Sequence, residues 1–280
     1  MIQSIKSVLI GLTKEFGPEE ESSALAYGLS LAQQAGAHAT VQAASVKLEL
    51  TSAWVSTFAA GLVNAENRRL RALAEAAADS ARANAETAGI ACSVTVLHLR
   101  YAELMDVFRG QARLHDLTVV DAEPETINLD RGLIETLLMD SGRPLLIVPQ
   151  GWEVFRAERI IVAWDGSGRA ARAVTGALPL LRAAQSVDVI SVIGEKDLPD
   201  DVPGSGIAAH LVSHGVAAVA TTVSAPGGDV AQALRDAASR SGANMIVMGG
   251  YVHSRLREMV FGGVTQSLLE QCPVPLFMAH

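Results

Sequence analysis

The chain has 280 residues, is 49% hydrophobic and 19% charged, and carries a formal net charge of −8. That length exceeds one domain of roughly 100–200 residues and supplies enough apolar surface for two cores, while the acidic balance argues against a nucleic-acid partner and against an anionic membrane surface. Cys92 and Cys272 lie far apart with no CxxC spacing. With no leader-like N-terminus and no apolar run approaching about 18–20 residues, they point to a soluble, cytoplasmic, reduced chain.

The run Ser-Val-Leu-Ile-Gly-Leu at 7–12 reads as a buried parallel strand, and a helix with Leu25, Leu29 and Ala32 on one face follows it. Strands are expected at 39–46, 93–98, 117–120 and 144–148. Between the first two, an Ala- and Arg-rich segment from about Trp54 to Ala88 reads as a long solvent-facing helix and a candidate interface. A linker falls at 150–157, where Gly151-Trp152 breaks the pattern. The plan then restarts with Arg159-Ile-Ile-Val-Ala-Trp164 and a helix carrying Val174, Leu178 and Leu181. Pro179 should kink that helix or end it early.

Further strands are expected at 186–192, 217–223, 245–248 and 275–278, and the long helix has only a short counterpart at 204–214. The closing segments mirror each other, Gly142-Arg-Pro-Leu-Leu-Ile-Val-Pro149 against Cys272-Pro-Val-Pro-Leu-Phe-Met-Ala279. The simplest account is a tandem duplication of a five-stranded α/β unit, with domains at 1–150 and 158–280. Each unit has a parallel sheet with helices on both faces, and ligands bind beyond the carboxyl ends of the strands.

The segment 248–265 is the most informative. Met248 closes a strand, Gly249 and Gly250 allow close backbone approach, and Gly262 and Gly263 repeat that provision before a helix. The amides of Gly263, Val264 and Thr265 are then first-turn donors that favour an anion such as phosphate, and Thr265 adds a hydroxyl. Asp165 ends the first strand of the same half, where a carboxylate accepts from ribose hydroxyls. The glycines also suit plain turns, and Asp165 and Ser167 also suit helix or turn capping.

These residues resemble the universal stress protein family over nearly the whole chain. The resemblance implies two tandem Rossmann-like domains of the adenine nucleotide alpha hydrolase-like type and an ATP site, with magnesium, in the second. The family signature is Gly-x-x-Gly, nine residues, then Gly-Ser/Thr. Here Gly249-Gly-Tyr-Val252, nine residues and Gly262-Gly263 keep its spacing, with Val252 in place of the second Gly and Gly263 in place of Ser or Thr. By resemblance Asp165 contacts ribose, the backbone at Ala163 and Val189 faces adenine, and Gly249, Gly262, Gly263, Val264 and Thr265 hold ribose or phosphate. Arg255 or Arg257, beside His253 and Ser254, is placed to meet phosphate or to lie at an exposed or interface position.

The family also implies an intramolecular pseudo-dimer through the last strands, Pro144 to Val148 against Pro275 to Met278, and a homodimer of whole chains. The first half lacks the site residues: Leu12 or Thr13 stands for the Asp, and Asp121-Ala-Glu-Pro-Glu125 stands for the glycine loop. Residues 1–150 hold 12 Lys or Arg against 18 Asp or Glu, and residues 151–280 hold 10 against 12, so carboxylates concentrate where phosphate would be repelled.

His210 and His214 share a helical face but lack the Glu and third ligand of a zinc site. Neither a Gly-x-Ser-x-Gly elbow nor a Walker lysine occurs, and Cys92 belongs to a strand edge. The expected function is a nucleotide-binding stress-response regulator that switches. A ligand-free adaptor working through protein contacts is the alternative, and a slow ATP hydrolase, for which no base or metal carboxylate is evident, is the third reading.

Overall fold

The structure is a computed structural model that describes residues 2, 4–13, 22–50, 57–122, 129–193, 204–250, 252–255 and 258–280. The apolar run after Lys6 forms β1 (Ser7–Thr13), buried along almost all its length as a central parallel strand requires. Ser22 then caps α1 (Ser23–Ala35) by accepting from Leu25 N, and Gly36 ends it at a φ of 62°. The half continues through β2 (His38–Val46), α2 (Thr57–Thr87), β3 (Cys92–Leu99), α3 (Tyr101–Ala112), β4 (Leu117–Ala122), α4 (Leu129–Asp140) and β5 (Leu145–Pro149). In α2 the buried stripe is Leu70, Ala74, Ala78, Ala81 and Ala85, and this spacing seats the helix on the sheet through small side chains.

The second half runs β6 (Arg159–Ala163), α5 (Gly168–Ala183), β7 (Ser186–Ile193), α6 (Gly204–Ser213), β8 (Ala218–Ser224), α7 (Val230–Ser241), β9 (Met245–Gly249), β10 (Val252–Arg255), β11 (Glu258–Phe261), α8 (Gly263–Glu270) and β12 (Leu276–Ala279). The order β3-β2-β1-β4-β5 is repeated as β8-β7-β6-β9-β12. Within each half all neighbours are parallel. The halves meet at an antiparallel pairing of β5 with β12, Leu145 against Met278 and Ile147 against Leu276. The two sheets are therefore one sheet of ten strands rather than two separate ones. One core lies under α1, α2, α5 and α6, and the other under α3, α4, α7 and α8.

Two local expectations are corrected. Pro179 does not end α5 early, since the helix continues to Ala183. A helical proline costs about 3 kcal/mol, and burial of Ala177, Leu180 and Leu181 around it outweighs that cost. The stretch between Gly249 and Gly262 contains an antiparallel hairpin, β10 against β11, where a loop was expected.

Residues 150–158 contain no helix or strand, and they dock on α1. Gly151 N donates to Ser23 Oγ (3.0 Å), Phe155 N to Ser30 Oγ (3.1 Å) and Gln34 Nε2 to Phe155 O (2.9 Å). The Tyr27 and Phe155 rings meet edge to face at 5.4 Å.

Candidate functional site

Strand register sets the two halves in correspondence. β1 meets β4 with Val8 opposite Leu117, and β6 meets β9 with Ile160 opposite Met245. Counting along each strand makes Thr13 the counterpart of Asp165, and Asp121 the counterpart of Gly249.

In the first half the carboxyl end of β4 supplies its own anion. Asp121 accepts from Ala24 N at 2.7 Å and from Ser22 Oγ at 2.5 Å, while Ser22 Oγ accepts from Leu25 N at 3.1 Å. A carboxylate thus occupies the positive end of α1. Glu123, Pro124 and Glu125 lie outside the described residues.

In the second half the corresponding helix comes up against bare backbone. A Cβ on Gly249 would lie 2.6 Å from Ala170 N and 2.8 Å from the Arg169 carbonyl carbon, so packing of α5 on β9 alone demands glycine there. Ser167 caps α5 through Ala170 N at 3.1 Å. Asp165 is exposed at the end of β6. Its Oδ1 accepts from Ser167 N at 2.9 Å, and its Oδ2 has no partner among the described residues. The helix α8 starts from Gly262, which has no side chain to cap it, and among the described residues outside its own helix and chain neighbours no atom lies within 4 Å of where a Gly263 Cβ would stand.

The other candidate residues divide. Ala163 is half-buried at the end of β6 and pairs with Met248, which is buried against the core. Val264 is half-buried in the first turn of α8, and Thr265 is turned inward, 1% exposed. Val189 is not brought to the strand end: it lies in mid-β7, fully buried and paired on both sides with Val162 and Ala220. Val252 pairs with Phe261, and Arg255 with Glu258, in the hairpin; their side chains, with those of His253 and Ser254, and the whole of Arg257 lie outside the described residues.

Sequence reasoning missed the capping role of Asp121. The available signals were a serine one residue before a helix and an aspartate at a strand end, features too common to single out. His210 and His214 do meet, edge to face with ring centroids 4.6 Å apart, but Arg182 Nη2 approaches His214 Nδ1 at 3.2 Å, and no metal-binding cluster of three ligands occurs among the described residues. Burial raises the Cys92 thiol pKa and pushes that of Cys272 up to about 12, so both are poor nucleophiles.

Residues 157–280 match the family model for the universal stress protein family. The second half of the chain is therefore similar to the universal stress protein family. The stress response protein NhaX of Bacillus subtilis (strain 168) is 25% identical, over 45% of this chain and 99% of that protein. A universal stress protein from Archaeoglobus fulgidus DSM 4304 has the same fold over 97% of both chains, with a TM-score of 0.68 at 17% identity. A putative universal stress protein from Pseudomonas aeruginosa UCBPP-PA14 matches over 99% of this chain and 94% of its own, with a TM-score of 0.54 at 15% identity. Agreement over whole chains fits the tandem architecture. Among the described residues no helix is long and apolar enough to cross a membrane.

Proposed function

We propose that this chain is a universal stress protein whose second half binds an adenine nucleotide, ATP with magnesium, and that binding switches the chain's contacts in a stress response. The observation that carries this reading is Asp165. Its Oδ1 is held by Ser167 N, so the carboxylate is oriented, and its exposed Oδ2 is left for a ribose hydroxyl. The first-turn amides of α8, at Gly263, Val264 and Thr265, supply donors for phosphate, and the space around Gly263 admits it. The first half is the structural or regulatory partner, since Thr13 replaces the carboxylate and Asp121 places a negative charge at the corresponding strand end. In this reading the domains are 1–150 and 158–280, and whole chains act as homodimers in the cytoplasm.

A second reading has its own observation. The hairpin places Val252 opposite Phe261 where the family signature has a glycine, which favours a ligand-free adaptor.

Calorimetric titration of ATP with magnesium separates the two. Micromolar binding is expected for the wild-type chain, with a loss of about tenfold or more in Asp165→Ala and Asp165→Asn, of which the second keeps the acceptor for Ser167 N. No heat with the wild type, and heat gained in Val252→Gly, would establish the adaptor instead.

A further inference from the structure

The two halves also differ at the amino ends of their strands, far along the sheet from Asp165. In the first half Asp116 Oδ2 accepts from Lys6 N (2.8 Å), Ser7 N (3.0 Å) and Ser7 Oγ (3.2 Å). In the second half Asn244 takes that place, and its Oδ1 accepts from Glu158 N (3.0 Å) and Arg159 N (3.2 Å). Those two bonds fix the amide's orientation, so Nδ2 points the other way. Asn244 is 9% exposed, and its Nδ2 has no acceptor among the described residues. Nδ2 is not among the side-chain atoms sealed from solvent without a partner, so its two N–H donors open on accessible space.

Asn244 lines a cavity of about 460 Å³ between the 150–158 segment and the end of α7. Trp152 and Val274 give it an apolar wall, and its charged lining is Arg156, Arg159 and Arg235 against Glu158. Arg235 spends its donors on Gln271 O (3.1 Å), Ser267 O (2.5 Å) and neighbouring side-chain oxygens, so it builds the wall. Arg159 uses only Nη1, on Ser241 O at 3.3 Å, and the Arg156 guanidinium has no partner among the described residues. Donors therefore outnumber acceptors around the space. In the first half the corresponding position carries a full negative charge instead.

We propose that this cavity binds a small oxyanion, a carboxylate or phosphate carried on an apolar body, held by Asn244 Nδ2, Arg156 and Arg159 with Trp152 as the apolar contact. Guanidinium and amide donors suit an oxyanion head through charge-assisted hydrogen bonds, and the indole suits the body.

The test is a ¹⁵N NMR titration of the full chain with phenyl phosphate and, separately, with benzoate. The Trp152 indole and Asn244 side-chain amide signals are expected to shift and saturate with a Kd of about 1 mM or tighter. Binding should weaken about tenfold or more in Arg156→Ala and in Asn244→Asp. The latter keeps an acceptor for both backbone amides, as Asp116 does, and so preserves the fold. Asp165→Ala should leave these shifts unchanged, which separates this site from the proposed nucleotide site. A response to phenyl phosphate alone identifies a phosphate head, and a response to benzoate alone identifies a carboxylate. Unmoved signals with both probes, or an Asn244→Asp chain that titrates like the wild type, would overturn the proposal.

Discussion

The two halves of this chain share strand order, register and helix caps, yet at corresponding strand ends one carries a carboxylate where the other carries none. At the end of β4, Asp121 reaches across to the first turn of α1, whereas at the end of β9, Gly249 lets the first turn of α5 approach the backbone itself. At the amino ends, Asp116 in the first half is answered by Asn244 in the second. The scaffold contact survives in each case while the charge does not. A duplicated fold can thus keep its geometry and change what its strand ends will accept, because helix seating needs an acceptor or a close approach but not a particular charge.

Substitutions at these paired positions would break or sharpen the comparison. The largest effect is expected from Gly249→Ala, whose new methyl would lie 2.6 Å from Ala170 N and force α5 off the sheet. Overpacking of this kind costs about 3 kcal/mol and should lower the denaturant midpoint at unchanged m. Gly263→Ala, into open space, should change stability by less than about 0.5 kcal/mol. If the two behave alike, glycine at 249 is not a packing requirement. Next is Asp121→Ala, which removes the acceptor for Ala24 N and Ser22 Oγ. A loss of about 2 kcal/mol is expected by urea unfolding, in the range of a helix cap. A loss much smaller than this would mean that α1 does not depend on the internal carboxylate.

Much of this organisation was legible in the sequence, because short apolar β-branched runs and mirrored closing segments report parallel strands and a duplication directly. The α/β class, Asp165 at a strand end and the glycines before α8 were read from such local patterns. What escaped depends on distant partners. The β10–β11 hairpin was hidden by Gly249 and Gly262, whose spacing read as a loop. The continuity of α5 through Pro179 comes from burial on the sheet, which overrides a local penalty. The placement of Val189 failed because position within a strand, and hence distance from its end, depends on register. The contrast between Asp116 and Asn244 required both registers at once, since nothing local marks either residue as half of a pair.

The smallest loss expected from removing a native hydrogen-bonding group is the most direct test of that pair. Burial opposes ionisation of Asp116, but hydrogen bonds from Lys6 N, Ser7 N and Ser7 Oγ, with Arg143 nearby, outweigh it and hold the carboxyl below the ordinary range. A carboxyl whose pKa is lower in the folded chain stabilises the fold fully above its unfolded value of about 4, and that stability is lost as pH falls through the folded value. Asp116→Asn keeps an acceptor for the two amides, as Asn244 does, so only the charge-dependent part should go. At neutral pH the cost is then about 0.5–1 kcal/mol, reduced by the partial exposure of the site. Urea unfolding as a function of pH should show the two chains converging below about pH 4, where the wild-type carboxyl takes up its proton. Equal stability at pH 7, or a gap that widens toward acid, would show that the carboxylate contributes nothing at this position beyond what asparagine supplies in the other half.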